Sequence, residues 1–169
     1  MKFYLLILFL AYQVNCLGQG NWQSNQYDYT IEIPQGFNLS TAIGKNVDFK
    51  AIYNESSVVV VAKQLPQAYS EMSIWEMLGD LETFGAEWET GAQEYMINPT
   101  FLKFGKTEID GSDTFWYDYK TDNPDMYSKN YQLLRNNIIY TITLTCPTKK
   151  YNYFSPVWYR VKESFQFPK

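Results

Sequence analysis

Histidine is absent from the 169-residue sequence, and cysteine occurs only twice, at Cys16 and Cys146. Without histidine, the chain lacks the side chain that most often acts as a general base near neutral pH. Zinc and copper sites also rarely form without histidine or thiolate ligands. The sequence contains neither a G-x-S-x-G nucleophile motif nor a glycine-rich phosphate loop. These absences argue against most common enzyme mechanisms and against transition-metal sites.

Positive charge is scarce as well. The chain has 14 Lys and Arg residues against 18 Asp and Glu residues, which gives a net charge of −4. Only Lys149 and Lys150 place two cations side by side. Proteins that bind nucleic acid or anionic membranes usually carry a basic patch. We therefore expect no nucleic-acid partner.

The N-terminus has the pattern of a secretory signal peptide. Lys2 precedes an apolar run over residues 3–12, which is about half the length needed to span a bilayer. Small residues at the −3 and −1 positions place cleavage before Gln19. Residues 1–18 are therefore assigned to the signal peptide. After its cleavage the apolar run is gone, so we expect no membrane insertion of the mature chain.

The processed chain would lose one cation, leaving 13 against 18 acids and a net charge of −5. Cys146 would be its only thiol, so no disulfide could form within it. A lipoprotein acylated at Cys16 and an uncleaved anchor are the alternatives. The cleaved and acylated forms are both exported, to the periplasm or the medium.

The first half of the remaining chain shows strand patterns. Residues 19–26 are polar and are interpreted as a flexible lead-in to a single domain over residues 27–169. Alternating apolar residues predict a strand over 29–33, and further strands follow at 47–53 and 57–65. The β-branched run from Val58 to Val61 within the last of these is typical of a strand buried on both faces.

A helix is predicted next. Ile74, Met77, Leu78, Leu81 and Phe84 recur at helical spacing, and Ser73 with Glu76 forms an S-x-x-E capping box at the start. Gly79 is expected to weaken this helix slightly. Gly85 marks its expected end, although Trp88 keeps the helical phase.

Antiparallel strands and a second helix complete the pattern. The strands are expected at residues 100–109, 114–120, 127–135 and 138–146, with turns at Asp110-Gly111 and Asn136-Asn137. The second helix is predicted to begin with Ser155 as its cap and Pro156 as its first residue, and residues 165–167 can form a short edge strand. This order predicts an α+β fold with a mainly antiparallel sheet between helices.

Several of these segments together resemble the PsbP/DcrB/Mog-like superfamily. The segments are Tyr29-x-Ile31-x-Ile33-Pro34-x-Gly36-Phe37, the helix from Ser73-Ile74, the Gly105 to Gly111 stretch before an aromatic strand, the Asn136-Asn137 hairpin into Cys146-Pro147, and the ending Glu163-Ser164-Phe165. The resemblance covers about residues 27–167. It implies an α/β/α sandwich. Since members of this superfamily are mostly not enzymes, it also implies a non-enzymatic role.

Members of this superfamily have different roles. PsbP is an extrinsic subunit of the oxygen-evolving complex, DcrB-like members are exported proteins that are often lipoproteins, and Mog-type members bind a small GTPase. PsbP uses a basic N-terminal segment and histidines, which this chain lacks, so a photosystem role is disfavoured. A shared scaffold does not fix a shared activity.

Aromatic residues make up 18% of the chain and supply the candidate site. Trp75, Trp88 and Trp116 are candidates for binding a partner or ligand, because aromatic side chains anchor interfaces. Packing inside the fold is the alternative interpretation for the tryptophans, and Trp88 and Trp22 are the expected exceptions to it. Asp118 joins them, since it shares a strand face with Trp116. Trp158 is expected in the core. The acidic turns at Asp110 to Asp113 and at 122–125 are interpreted as solvated turns, and no metal or cofactor is predicted.

Three functions remain open on the sequence alone. The leading interpretation is a non-catalytic exported binding or accessory module that engages a protein partner in the cell envelope. The alternative is a carrier that holds a small apolar ligand between sheet and helix, and a pocket lined by Tyr117, Tyr119 and Tyr140 would favour it. The third is a hydrolase with a carboxylate-only site, for which Asp118 is the best candidate. A structural pair between Asp118 and a neighbouring cation is the simpler interpretation of this residue.

Overall fold

The computed structural model describes residues 20–168 of the chain. The predicted signal peptide and its cleavage site lie outside these residues. The strands are β1 (Asn21–Gln23), β2 (Thr30–Glu32), β3 (Asn38–Leu39), β4 (Val47–Tyr53), β5 (Ser56–Gln64), β6 (Thr100–Ile109), β7 (Ser112–Asp122), β8 (Asp125–Arg135) and β9 (Ile138–Pro147). The α-helices are α1 (Ile74–Leu78), α2 (Phe84–Ala92) and α3 (Tyr151–Ser164).

One seven-stranded antiparallel sheet dominates the fold. Its strand order is β3-β4-β5-β9-β8-β7-β6, so β3 and β6 form the two edges. Strands β1 and β2 pair separately and pack with α3 against one face of this sheet, which we call the α3 face. Helices α1 and α2 cover part of the opposite face. The predicted α+β architecture with helices on both faces is therefore confirmed.

The β8–β9 hairpin forms as predicted. Asn136 and Asn137 have φ angles of 52° and 60°, a conformation that asparagine tolerates better than most residues. Ile142, Leu144 and Cys146 are completely buried on the α3 face. The alternation in the sequence identified this inward face correctly.

Cys146 is expected to react slowly with thiol reagents in the native protein and rapidly after unfolding. Its burial raises the pKa of the thiol from 9.0 to about 11. Since the neutral thiol is favoured in the fold, its stabilising contribution is complete below pH 9 and disappears as the pH rises through 11. Labelling kinetics with and without urea measure this difference, and rapid native labelling would contradict the assigned strand register.

The central helical segment differs from the prediction. A single helix was expected to continue to Gly85, whereas α1 ends at Leu78 and α2 begins at Phe84. Gly79 has a φ angle of 69°, which is incompatible with a continuing right-handed helix. Asp80 then accepts a hydrogen bond from the Glu82 amide in the connection. Gly79 therefore ends the helix rather than merely weakening it.

The predicted capping box is confirmed. The Ser73 hydroxyl accepts a hydrogen bond from the Glu76 amide at 3.2 Å, and the Glu76 carboxylate accepts one from the Ser73 amide at 2.7 Å. This backbone hydrogen bond and the Ser73 hydroxyl lower the pKa of Glu76.

Replacing Ser73 with alanine is expected to lower the free energy of unfolding by about 1 kcal/mol, because one amide at the helix start loses its partner. Urea denaturation of Ser73→Ala and of the milder Ser73→Thr measures the effect. The threonine variant keeps an acceptor and should stay close to wild type. An unchanged alanine variant would show that this cap does not stabilise the fold.

The C-terminal helix also starts earlier than predicted. It begins at Tyr151, so Pro156 lies inside it rather than at its first position. Proline cannot donate to the carbonyl four residues earlier. That carbonyl belongs to Asn152, and the Ser155 hydroxyl approaches it at 3.5 Å instead. The Ser-Pro pair was therefore mistaken for a helix start.

Two further expectations are corrected by the packing. Residues 21–23, predicted as part of a flexible lead-in, form β1, because Trp22 packs against Tyr29 and Phe49 at ring distances of 5.7 and 5.1 Å. Val59 and Val61 are only half-buried, although the run from Val58 suggested burial on both faces. Helices α1 and α2 contact β6, β7 and β8, and they leave the β5 residues Val59 and Val61 uncovered.

Residues 165–167 extend from α3 toward β2. Gln166 forms a single bridge with Thr30 rather than a full strand in the main sheet. Phe165 and Phe167 are buried beside Tyr140, with ring distances of 5.8 and 5.2 Å. The C-terminal segment thus closes one end of the α3-face core.

Candidate functional site

Strand β6 forms a ten-residue edge of the large sheet and pairs with β7 along one side. Within residues 20–168 no strand pairs with its outer side. Helix α2 supplies one partner there, because the Glu89 carboxylate accepts a hydrogen bond from the Phe101 amide at 2.6 Å. Leu102 and Phe104 are 40% and 41% exposed on this strand. An exposed edge with apolar side chains is a place where another chain can pair.

Trp116 lies beside this edge on the α3 face. It is opposite Gly105 in the register of β6 and β7. A Cβ atom at Gly105 would come within 2.7 Å of the indole ring, so only glycine leaves room for it. Lys129 places its ammonium group 3.9 Å from the ring centre, and Lys103 lies at 5.9 Å. These contacts form cation–π interactions with the indole.

Asp118 is completely buried next to Trp116. Its Oδ2 atom accepts a hydrogen bond from the Tyr127 hydroxyl at 2.5 Å, and its Oδ1 atom lies 2.5 Å from Lys129 Nζ. Lys103 Nζ is 3.7 Å from Oδ2. A buried carboxylate needs such partners, because an unpaired charge in the interior is very unfavourable.

Burial and the charge of Asp118 shift the pKa values of its partners Tyr127 and Lys129. Burial raises the pKa of the Tyr127 hydroxyl, and its hydrogen bond to Asp118 raises it further. Burial lowers the pKa of Lys129, while the hydrogen bond and charge of Asp118 oppose that shift. Both oxygens of Asp118 are engaged by protein groups, so this arrangement is that of a structural ion pair.

A small cavity of about 180 Å³ opens above this ion pair, between β6, β8 and α3. Lys129, Trp116 and Lys162 contribute to its lining. Thr107 and Lys162 also line a wider open groove of about 570 Å³ that continues to Trp75 and Lys106. The two concavities therefore join around the C-terminal half of β6.

Trp75 reaches the same edge from the opposite sheet face. Its indole N–H donates a hydrogen bond to Asp113 Oδ2 at 3.2 Å, and Lys106 Nζ lies 4.5 Å from the ring. Its ring also contacts Phe115 at 6.4 Å. The structure thus brings the candidates Trp75, Trp116 and Asp118 to one strand edge from two faces.

Trp88 does not join this group. It lies on α2 and packs on Tyr119 and Phe101, with ring distances of 4.6 and 5.9 Å. Its role is to close the aromatic cluster on the α1 and α2 face. Trp158 is buried in the core, as expected.

The lysines around β6 were missed by the sequence analysis. Lys129 faces Asp118 because the two are paired residues in the β7–β8 register. A two-residue turn at Asn123-Pro124 sets that register. Residues at equal distances along the chain from this turn pair with each other across the hairpin. A shorter expected strand, starting at residue 127, concealed this relationship.

The acidic turn residues have structural partners. Asp110 Oδ2 accepts a hydrogen bond from the Phe167 amide at 2.9 Å, and Asp113 accepts the Trp75 indole hydrogen bond. Among residues 20–168, no three His, Cys, Asp or Glu side chains come together as a metal site. No helix within that part of the chain is long and apolar enough to cross a membrane.

Comparisons with known proteins agree with the fold. The family model for PsbP matches residues 18–167. A search of curated protein sequences finds no significant match. The solution structure of the cyanobacterial PsbP protein CyanoP, from Synechocystis, is similar with a TM-score of 0.68 and 12% identity, over 88% of this chain and 92% of that one.

Two further solved structures share the fold. LpqN of Mycobacterium tuberculosis, described as involved in cell envelope biogenesis, has a TM-score of 0.60 and 6% identity, over 88% of this chain and 90% of LpqN. A protein of unknown function from Pseudomonas aeruginosa has a TM-score of 0.51 and 13% identity, over 89% and 96% of the two chains. At these identities the likeness concerns the fold alone.

Proposed function

Because the chain belongs to the PsbP family, we propose that it is an exported, non-catalytic accessory protein that binds a protein partner along the β6 edge. The observation that carries this proposal is the outer side of β6, which no strand of the described residues pairs with, and which Trp116 flanks on one face and Trp75 on the other. The signal-like N-terminus supports export, and the envelope role described for LpqN is consistent with it.

The mode of binding is strand addition. An extended segment of the partner would hydrogen-bond to the outward amides and carbonyls of β6, as in other cases where a peptide extends a sheet. Ten residues of strand present an edge of about 33 Å. Exposed Leu102 and Phe104 supply apolar contacts, while Lys103 and Lys106 provide polar contacts at the rim.

The non-catalytic part of the proposal rests on Asp118. This residue was the best candidate for a carboxylate-only hydrolase, yet Lys129, rather than Asp118, lines the adjacent cavity. An assay of purified protein for esterase, glycosidase and phosphatase activity tests this point. We expect no turnover, and activity that disappears in Asp118→Asn would contradict the proposal.

The carrier alternative depended on a pocket shared by three tyrosines. Tyr117 and Tyr119 pack under Trp88 on the α1 and α2 face. Tyr140 lies on the α3 face, against Tyr29 and Phe165. Because the sheet separates them, these side chains do not line one cavity, and the β6 edge has the stronger structural support.

Site-specific photocrosslinking in cells tests the partner proposal. A photoreactive amino acid at Phe104 should crosslink to a discrete partner, and Leu102→Lys should abolish that product. The matched control places the same probe at Ile43, which is exposed but lies outside the large sheet. Equal crosslinking from position 43, or a product that survives Leu102→Lys, would contradict binding along β6.

A further inference from the structure

A second concave surface lies between the β4–β5 turn and α3. It consists of two adjoining cavities of about 320 and 340 Å³, which share Tyr53, Tyr153 and Phe154. Each volume is within the range of small-molecule sites, which begins at about 300 Å³. We call this surface the α3 groove. It is lined by different residues from those around β6.

Aromatic rings form the floor and walls of the α3 groove. Phe37 and Phe154 are buried at its base, with ring centres 6.1 Å apart. Tyr53 and Tyr153 stand above them and are 36% and 69% exposed. The Tyr153 ring contacts Phe154 edge-on at 5.0 Å, and the Tyr53 ring lies 6.3 Å from Phe154. Both tyrosine side chains are therefore accessible to a ligand.

The rim of the α3 groove is positively charged. In the part of the chain that the structure describes, Lys149, Lys150 and Arg160 line it and no acidic residue does. Within residues 20–168, none of these three cations forms an ion pair. Such a concentration is unusual in a chain with a net charge of −4. The unpaired cations are positioned to attract an anion from solution.

The groove follows one side of α3. Tyr153, Val157 and Arg160 recur at spacings of four and three residues, which places them on one stripe of the helix. This stripe is about 10 Å long. The two lysines lie at its N-terminal end, so a ligand lying along the aromatic surface would meet cations at both ends.

We propose that the α3 groove binds an acidic oligosaccharide. The C–H face of a sugar ring can stack on the tyrosine rings, and its carboxylate or sulfate groups can pair with the lysines and Arg160. The side-chain amide of Asn54, which lines the same groove, can hydrogen-bond to sugar hydroxyls. This site goes beyond the proposed partner binding along β6 and does not depend on it.

An acidic peptide fits these observations less well. Extended peptides are usually held by backbone hydrogen bonds to a free strand, whereas the α3 groove is lined by aromatic and cationic side chains beside a helix. Single-stranded nucleic acid also stacks on aromatic rings, but it is usually held along a continuous basic groove, whereas the α3 groove offers three cations at its two ends. A short acidic oligosaccharide suits both the aromatic surface and this small number of cations.

Isothermal titration calorimetry tests the proposal with four probes at moderate salt. The probes are oligogalacturonate, a heparin-derived oligosaccharide, neutral maltohexaose and polyglutamate of matched charge. We expect at least one acidic oligosaccharide to bind, and to bind at least tenfold more tightly than maltohexaose and polyglutamate. Tyr153→Ala and Lys150→Glu should each weaken that binding at least tenfold.

Lys63→Glu is the matched control, because it makes the same charge change at an exposed position of β5. It should leave the affinity within about twofold, and circular dichroism should show that all three variants remain folded. The proposal is overturned if neither acidic oligosaccharide binds, if polyglutamate binds equally well, or if Lys63→Glu weakens binding as much as Lys150→Glu. Binding that is insensitive to Tyr153→Ala would likewise overturn it, since it would reflect charge alone.

Discussion

Replacement of Asp118 with alanine is expected to lower the free energy of unfolding by about 3–5 kcal/mol, since one partner of a buried ion pair is removed. The variant leaves Lys129 as a largely buried cation and the Tyr127 hydroxyl without its acceptor. Urea denaturation followed by tryptophan fluorescence measures the loss as a lower transition midpoint.

A double variant separates the ion pair from ordinary packing. Asp118→Leu combined with Lys129→Met removes both charges and keeps apolar volume, so it should be more stable than Asp118→Ala. Lys103→Ala is the exposed control, because Lys103 also faces Asp118 but its side chain is 59% exposed. It should cost less than about 1 kcal/mol. Equal losses in Asp118→Ala and Lys103→Ala would contradict the proposed role of the buried pair.

Replacement of Trp158 with alanine is expected to cost about 3–5 kcal/mol as well, because a large core side chain leaves a cavity. The indole is 2% exposed and packs against Tyr151 and Tyr127, at ring distances of 5.7 and 6.0 Å. Its buried N–H has no hydrogen-bond partner among the described residues. Trp158→Phe therefore loses no hydrogen bond and should cost much less than Trp158→Ala.

Trp75→Ala provides the comparison for a partly exposed tryptophan. Its hydrogen bond to Asp113 is exposed, and its ring lies at the margin of the second core cluster. We expect a loss clearly smaller than that of Trp158→Ala, because less apolar surface leaves the interior. Equal destabilisation by the two variants would show that Trp75 is a core residue and weaken its assignment to the β6 site.

Local sequence signals predicted the elements whose conformation is decided locally. The Asn136-Asn137 turn and the Ser73 cap were both identified, because backbone conformation and a nearby hydrogen bond determine them. The break at Gly79 was missed because helical spacing continues in the sequence beyond it. The early start of α3 was missed because Lys150 is an ordinary residue that provides no side-chain cap.

The candidate site depends on strand order and strand register, which bring together residues that are far apart in the sequence. Trp75 and Trp116 lie on different sheet faces, and both are near the β6 edge because β6 is the last strand of the sheet. Sequence alternation indicates which face a residue occupies, but it does not give the strand order. The pairing of Asp118 with Lys129 required the β7–β8 register, which a tight two-residue turn determines.

The most direct test of the central claim is amide hydrogen exchange along β6, measured on the free protein and on the crosslinked complex purified from cells. In the free protein, outward amides of β6 should exchange rapidly. The Phe101 amide is the exception, because it donates a hydrogen bond to the Glu89 carboxylate. In the complex, the outward amides between residues 102 and 108 should become protected. Unchanged exchange in β6, with new protection confined to other parts of the sheet, would contradict partner binding by strand addition at this edge.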